Sequence, residues 1–152
     1  MAGYGLPNEQ HLSVVLQNNL SLEGHNIEVI NGSVSGSTTA GGLNIAEWTL
    51  SENNIDLMIL CLGANDMLRG INPKETKNNL IEIIKIAKSK NIKVIIAGMI
   101  APTSHGTNYK KSFDKIFKDL SNEYELQLIP FLLEGVAQKP EFNLSDGMHP
   151  ND

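Results

Sequence analysis

The chain has 152 residues, within the size of one domain, and its 41% hydrophobic and 19% charged residues are a soluble globular composition rather than a disordered one. The formal net charge of −5 comes without a basic stripe, and the lysines between Lys85 and Lys93 are interleaved with isoleucines like a solvated helix face, which argues against nucleic-acid binding. No stretch approaches the ~20 apolar residues of a membrane span, so no stable membrane insertion is expected.

In chain order, the first expected element is a helix. Pro7 suits its first turn, and Leu12, Val15, Leu16 and Leu20 recur at helical spacing. A strand is expected at Ile27 to Asn31, then a Gly/Ser/Thr-rich loop from Gly32 to Gly42, then a short helix carrying Leu43, Ile45, Ala46 and Trp48. The second strand, Ile55 to Leu62, is nearly all apolar, the pattern of a strand buried on both faces. It contains the one cysteine, Cys61, which reads as a small buried hydrophobe and excludes an intrachain disulfide. Gly63-Ala64-Asn65-Asp66 follows directly.

Pro73 opens a helix with Leu80, Ile83, Ile84 and Ala87 on one stripe. A third strand spans Lys93 to Met99. The loop Ile100 to Thr107 leads to a helix whose inward residues are Tyr109, Phe113, Ile116, Phe117 and Leu120. The last strand is Leu126 to Pro130, followed by a helical stretch from Phe131 to Ala137 and a loop with Asp146 and His149. Strands alternating with helices imply a parallel sheet covered by helices. A doubly wound sheet normally starts with a strand and would close with a helix. A helix comes first here and a loop last, so both ends read as cut.

Ligands of open α/β sheets bind beyond the carboxyl ends of the strands. Three polar, glycine-containing segments fall there: Asn31 to Gly36, Gly63 to Asp66, and Asp146 to Asn151. Asp146 and His149 stand three residues apart, close enough for the carboxylate to hold one imidazole nitrogen and leave the other as a base. The same spacing fits an Asp-Gly turn with an exposed histidine. Gly36 lets a backbone N–H approach a ligand closely, or simply turns a flexible loop. Asn65 suits an oxyanion donor or a helix cap. Asp66 reads as a cap or loop-ordering acceptor. His11, His25 and His105 read as surface or structural residues, without paired metal-ligand spacing. There is no Gly-x-Ser-x-Gly elbow, since Val34 holds the central position of Gly32 to Gly36, and there is no phosphate loop or dinucleotide fingerprint.

Taken together, these segments resemble the SGNH hydrolases, also called the GDSL esterase/lipase family, in particular their arylesterase, acyl-thioesterase and lysophospholipase branch. The family's first block is Gly-Asp-Ser-Leu, one variable residue, then commonly Ala-Gly-Tyr-Gly. This chain begins Met1-Ala2-Gly3-Tyr4-Gly5, so the resemblance starts just after the serine, which would lie two residues before Met1. The remaining blocks are similar in order. The resemblance implies Gly36 and Asn65 as the oxyanion hole, and Asp146 and His149 as two members of a Ser-His-Asp triad. It also implies a substrate-side loop at Leu68, Arg69 and Gly70. Ser33, Ser35 and Ser37 do not match the nucleophile position.

The implied fold is a three-layer α/β/α flavodoxin-like domain over residues 1–152 with a mostly parallel sheet, lacking the first strand and last helix. The implied activity is hydrolysis of a small-molecule acyl ester or thioester, needing no metal or organic cofactor, with this chain inactive for want of its serine. Without that strand, marginal folding or aggregation is expected. The alternative is a non-catalytic lipid- or carbohydrate-binding relative on the same scaffold. Members of this branch are often exported, so a periplasmic or secreted parent fits as well as a cytoplasmic one.

Overall fold

Three short apolar runs, each rich in Ile, Leu or Val, meet as a parallel sheet in the order β1 (Leu57–Leu60), β2 (Lys93–Ala97), β3 (Gln127–Ile129). The computed structural model describes residues 2–51 and 54–151. They divide into two units, Gly36–Leu132 and Met1–Ser35 with Leu133–Asp152.

In the first unit, register decides which side chains share a face. Met58 pairs with Val94, Leu60 with Ile96, and Ile96 with Leu128. These residues alternate along their strands and so point the same way. Leu60, Val94 and Ile96 are buried, with Met58 and Leu128 packed against the same core. Helix α4 (Pro73–Ser89) covers that core with Leu80, Ile83, Ile84 and Ala87, as its stripe predicts, after a start capped by Asn72, whose side chain accepts from the Lys74 N–H. Helix α2 (Thr39–Thr49) is capped by Thr38, buries Ala46 and leaves Trp48 80% exposed.

The second strand is shorter than the expected Ile55 to Leu62 and is not buried on both faces. Leu57 and Ile59 are 46% and 47% exposed. The reason is position: β1 is the outer strand of the described sheet, with β2 as its one neighbour. The third and fourth expected strands also contract, to Lys93–Ala97 and Gln127–Ile129.

The expected single helix after residue 107 is two, α5 (Thr107–Asp114) and α6 (Ile116–Tyr124). Phe113, Ile116, Phe117 and Leu120 are buried as expected. The break falls at Lys115, between the two helices; the Asp114 carboxylate at the end of α5 accepts the Ala101 N–H at 2.8 Å and the Lys110 ammonium at 2.6 Å.

The second unit carries α1 (Leu12–Leu22), preceded by a 3₁₀ turn at Asn8–Gln10 that Pro7 opens. The apolar residues at helical spacing do lie in this helix, but they are not buried. No residue of α1 is, and Leu12 and Val15 are 44% and 41% exposed. The expected strand at Ile27 to Asn31 does not form. A strand needs a ladder partner, and here the Gln17 side chain takes that place, donating to the Ile27 carbonyl at 2.8 Å and accepting the Val29 N–H at 2.7 Å. The expected helical stretch from Phe131 to Ala137 is a run of turns, and Gly135 at φ 79° departs from helical backbone. Among the described residues, no helix is long and apolar enough to cross a membrane.

Candidate active site

Asp146 and His149 lie in the unit formed by the chain's two ends. The segment from Val136 to Asn151 is shaped by its asparagines. Asn143, 7% exposed, donates its amide to the Val136 and Lys139 carbonyls, and the Asn151 amide donates to the Glu141 carbonyl. Leu144 N–H to His149 carbonyl, at 2.7 Å, closes the tip. Within that tip, Asp146 Oδ1 accepts the Met148 and His149 backbone N–H groups, and Oδ2 lies 2.7 Å from His149 Nδ1. These bonds, led by the His149 and Met148 amides, hold the Asp146 carboxyl down at about 2, so it is an anion across the working pH range. A carboxylate on Nδ1 fixes the imidazole tautomer with its proton there and leaves Nε2 with the basic lone pair. The Tyr4 ring rests on the imidazole, with centroids 4.5 Å apart at a 35° tilt.

Gly36 and Asn65 lie together in the other unit. The turn out of β1 passes through Gly63 at φ 114°, a backbone conformation that favours glycine, and a Cβ there would press on the Phe117 ring at 3.2 Å. Helix α3 (Ala64–Leu68) begins immediately after, so Asn65 is set in its first turn. The Asn65 amide donates to the Ser37 carbonyl at 3.0 Å, and the Arg69 guanidinium donates to the Gly36 carbonyl at 2.9 Å. Gly36 itself has φ 73°. Asp66, 1% exposed, is an acceptor for the Thr39 N–H, the Thr39 hydroxyl and the Thr76 hydroxyl.

Leu68 and Gly70 sit beside Arg69 at the end of α3. Leu68 is exposed, and the His105 ring packs against Gly70. Tyr109, whose ring centroid lies 5.1 Å from that of His105 at a 52° tilt, donates its hydroxyl to the Ile71 carbonyl, and burial together with the Asp66 charge pushes its phenol pKa up.

The remaining histidines take structural roles or face solvent. His11 Nε2 is bonded to the Leu6 carbonyl at 3.2 Å, and His25 pairs with Glu23 at the surface. Cys61 is half-buried, and burial raises its thiol, so it stays protonated and a poor nucleophile. Among the described residues, no three of His, Cys, Asp and Glu gather closely enough to hold a metal ion. Sequence reasoning assigned no role to Tyr4, Thr39 or Asn143. For Tyr4 a signal existed, since it stands in the Ala-Gly-Tyr-Gly run.

Residues 1–152 match the GDSL-like Lipase/Acylhydrolase family. The chain belongs to that family. This GDSL-like chain is 38% identical to an arylesterase of Vibrio mimicus over 149 residues, 98% of its own length and 74% of the arylesterase. It is 33% identical to thioesterase 1/protease 1/lysophospholipase L1 of Escherichia coli K12 over 123 residues, 81% of this chain and 59% of that one. Among solved structures it matches AlinE4, an SGNH-hydrolase family esterase, with a TM-score of 0.91 at 38% identity, covering 99% of this chain and 80% of AlinE4. The α/β fold with its parallel sheet is therefore that of the SGNH hydrolases.

Proposed function

We propose that this chain is the larger part of one hydrolase domain that cleaves carboxylic ester or thioester bonds of small acyl substrates, with His149 as base and Asp146 as its partner. The observation that carries the reading is the 2.7 Å contact between His149 Nδ1 and Asp146 Oδ2. A binding module has no need of an imidazole held by an ionised carboxylate; an acyl-transfer enzyme does. The names of the relatives, arylesterase and thioesterase/lysophospholipase, support the substrate class.

In this reading the nucleophile is a serine encoded upstream of Met1, in a strand that completes the sheet. Its hydroxyl attacks the acyl carbonyl as His149 Nε2 takes the proton. Asp146 stabilises the imidazolium. The Gly36 N–H and the Asn65 amide take the negative charge that develops on the carbonyl oxygen; a donor of that kind is worth about 10²–10³ in rate. His149 then hands the proton to the leaving alcohol or thiol, and a water activated by the same imidazole releases the acid.

The test is hydrolysis of a short-chain p-nitrophenyl ester by two proteins, the 152-residue chain and the same chain with a Gly-Asp-Ser-Leu segment and its strand placed ahead of Met1. A missing serine should hold the first below the second by about 10⁶-fold in turnover, and His149→Ala should bring the second down to the first. Efficient, His149-dependent turnover by the shorter chain would refute the upstream serine. A longer chain that binds lipid or sugar but hydrolyses nothing would establish the non-catalytic alternative.

A further inference from the structure

Asp66 is fully bonded and yet has no part in the chemistry just described. It is 1% exposed. A carboxylate so deeply placed must have its charge met by donors. Those donors are the Thr39 N–H at 2.8 Å, the Thr39 hydroxyl, and the Thr76 hydroxyl at 3.2 Å, and the Asn79 amide donates onward to the Thr39 hydroxyl at 3.1 Å. Thr39 is the first residue of α2, so the carboxylate also sits at the positive end of that helix. Thr76 lies in α4 and Asp66 in α3. One side chain thereby ties three helices.

The knot lies beside both proposed oxyanion donors. Asp66 follows Asn65 in the chain, and Thr39 follows Gly36 by three residues. Two more bonds span the same pair of segments, from the Asn65 amide to the Ser37 carbonyl and from Arg69 to the Gly36 carbonyl. Of these links the Arg69 bond is exposed and the Asn65 bond half-buried; the Asp66–Thr39 pair is buried and shielded from competition by water. It is therefore the firmest of the links that set how far residue 36 stands from residue 65.

We propose that Asp66, acting through Thr39, is a positioning residue that fixes the separation of the Gly36 N–H from the Asn65 amide; this rests on the reading of those two groups as oxyanion donors. Donors of this kind accelerate a reaction only when they are already in place as charge develops. A displacement of about 1 Å costs about 10²-fold in rate. Binding of the ground-state ester asks much less of them, so the effect falls on kcat rather than KM.

The test uses the chain completed with its serine segment, assayed on a p-nitrophenyl ester well below the melting temperature of each variant. Thr39→Val keeps the shape of the side chain and removes the hydroxyl. It should lower kcat by about 10- to 10²-fold with KM within about twofold, and Thr39→Ser, which restores the hydroxyl, should recover most of the loss. Asp66→Glu keeps the charge but lengthens the link, and should lower kcat similarly. It carries the test should Thr39→Val fail to fold. Native kcat in Thr39→Val or Asp66→Glu, or a loss confined to KM, would overturn the positioning role. Asn65→Ala separates the two levels. If it leaves kcat intact, the oxyanion reading itself fails; if it lowers kcat by about 10²-fold or more while Thr39→Val and Asp66→Glu do not, only the role of Asp66 falls.

Discussion

The two units hold their chemistry by different means. Every buried apolar side chain among the described residues lies between Ala46 and Leu120, inside the unit that carries Gly36 and Asn65. The unit that carries Asp146 and His149 has one buried residue among those described, the polar Asn143. Its order comes from hydrogen bonds: asparagine amides on backbone carbonyls and the Asp146 carboxylate on two amides and an imidazole. Apolar burial is long-lasting and insensitive to pH, whereas a network of exposed hydrogen bonds is individually weak and depends on protonation. The proposed oxyanion donors stand on the core, and the proposed proton-transfer pair stands on the bonded loop.

That contrast separates activity from stability, and the strongest way to break it is Asp146→Asn in the serine-bearing chain. Loss of the carboxylate should lower kcat by about 10⁴-fold through the wrong tautomer, while the urea midpoint stays nearly where it was, because no core residue is touched. A comparable fall in both would show that the loop supports the fold. The reverse case is Phe113→Ala, at 0% exposure between the Tyr109 and Phe117 rings, which should cost about 3–5 kcal/mol in equilibrium unfolding.

Smaller effects sharpen the same division. Asn143→Ala removes two half-buried amide bonds and should loosen the loop by about 1–3 kcal/mol. Hydrogen exchange would then quicken at the Leu144 and Asn151 amides while those of α4 keep their protection; equal acceleration in α4 would contradict separate support. The smallest signal is the titration of Asp146 itself. Its folded carboxyl is depressed from 3.8 to about 2, so the ordering it provides is complete above the ordinary value and disappears only as the pH falls through about 2. Carbon-13 NMR of that carboxyl should show the low midpoint, and a midpoint near 3.8 would mean the bonds to Met148 and His149 are not formed in solution.

Local pattern reveals what local forces decide. The stripe Leu80, Ile83, Ile84, Ala87 announces α4 because helix period and burial agree there. Asp146 and His149 could be paired from sequence because their contact spans three residues. Most of the failures are at longer range. Ile27 to Asn31 looks like a strand, but strand formation depends on a neighbour that the segment does not encode. The bond from the Ala101 N–H to the Asp114 carboxylate at the end of α5 spans 13 residues. The links from Arg69 to Gly36 and from Thr39 to Asp66 cross 33 and 27 residues, so local pattern marks Asp66 as an acceptor but not the segments it joins. The exposure of β1 is not legible from its residues, because an apolar run reads alike in central and outer strands.

Trp48 is the one tryptophan in the chain, and it stands in α2 at 80% exposure. Its indole already meets water in the native state, so denaturation changes its surroundings little. Emission from this residue would stay almost constant while the packing of Phe113, Leu80 and Ile96 came apart, and an optical melt followed at tryptophan wavelengths would report a protein more heat-resistant than it is.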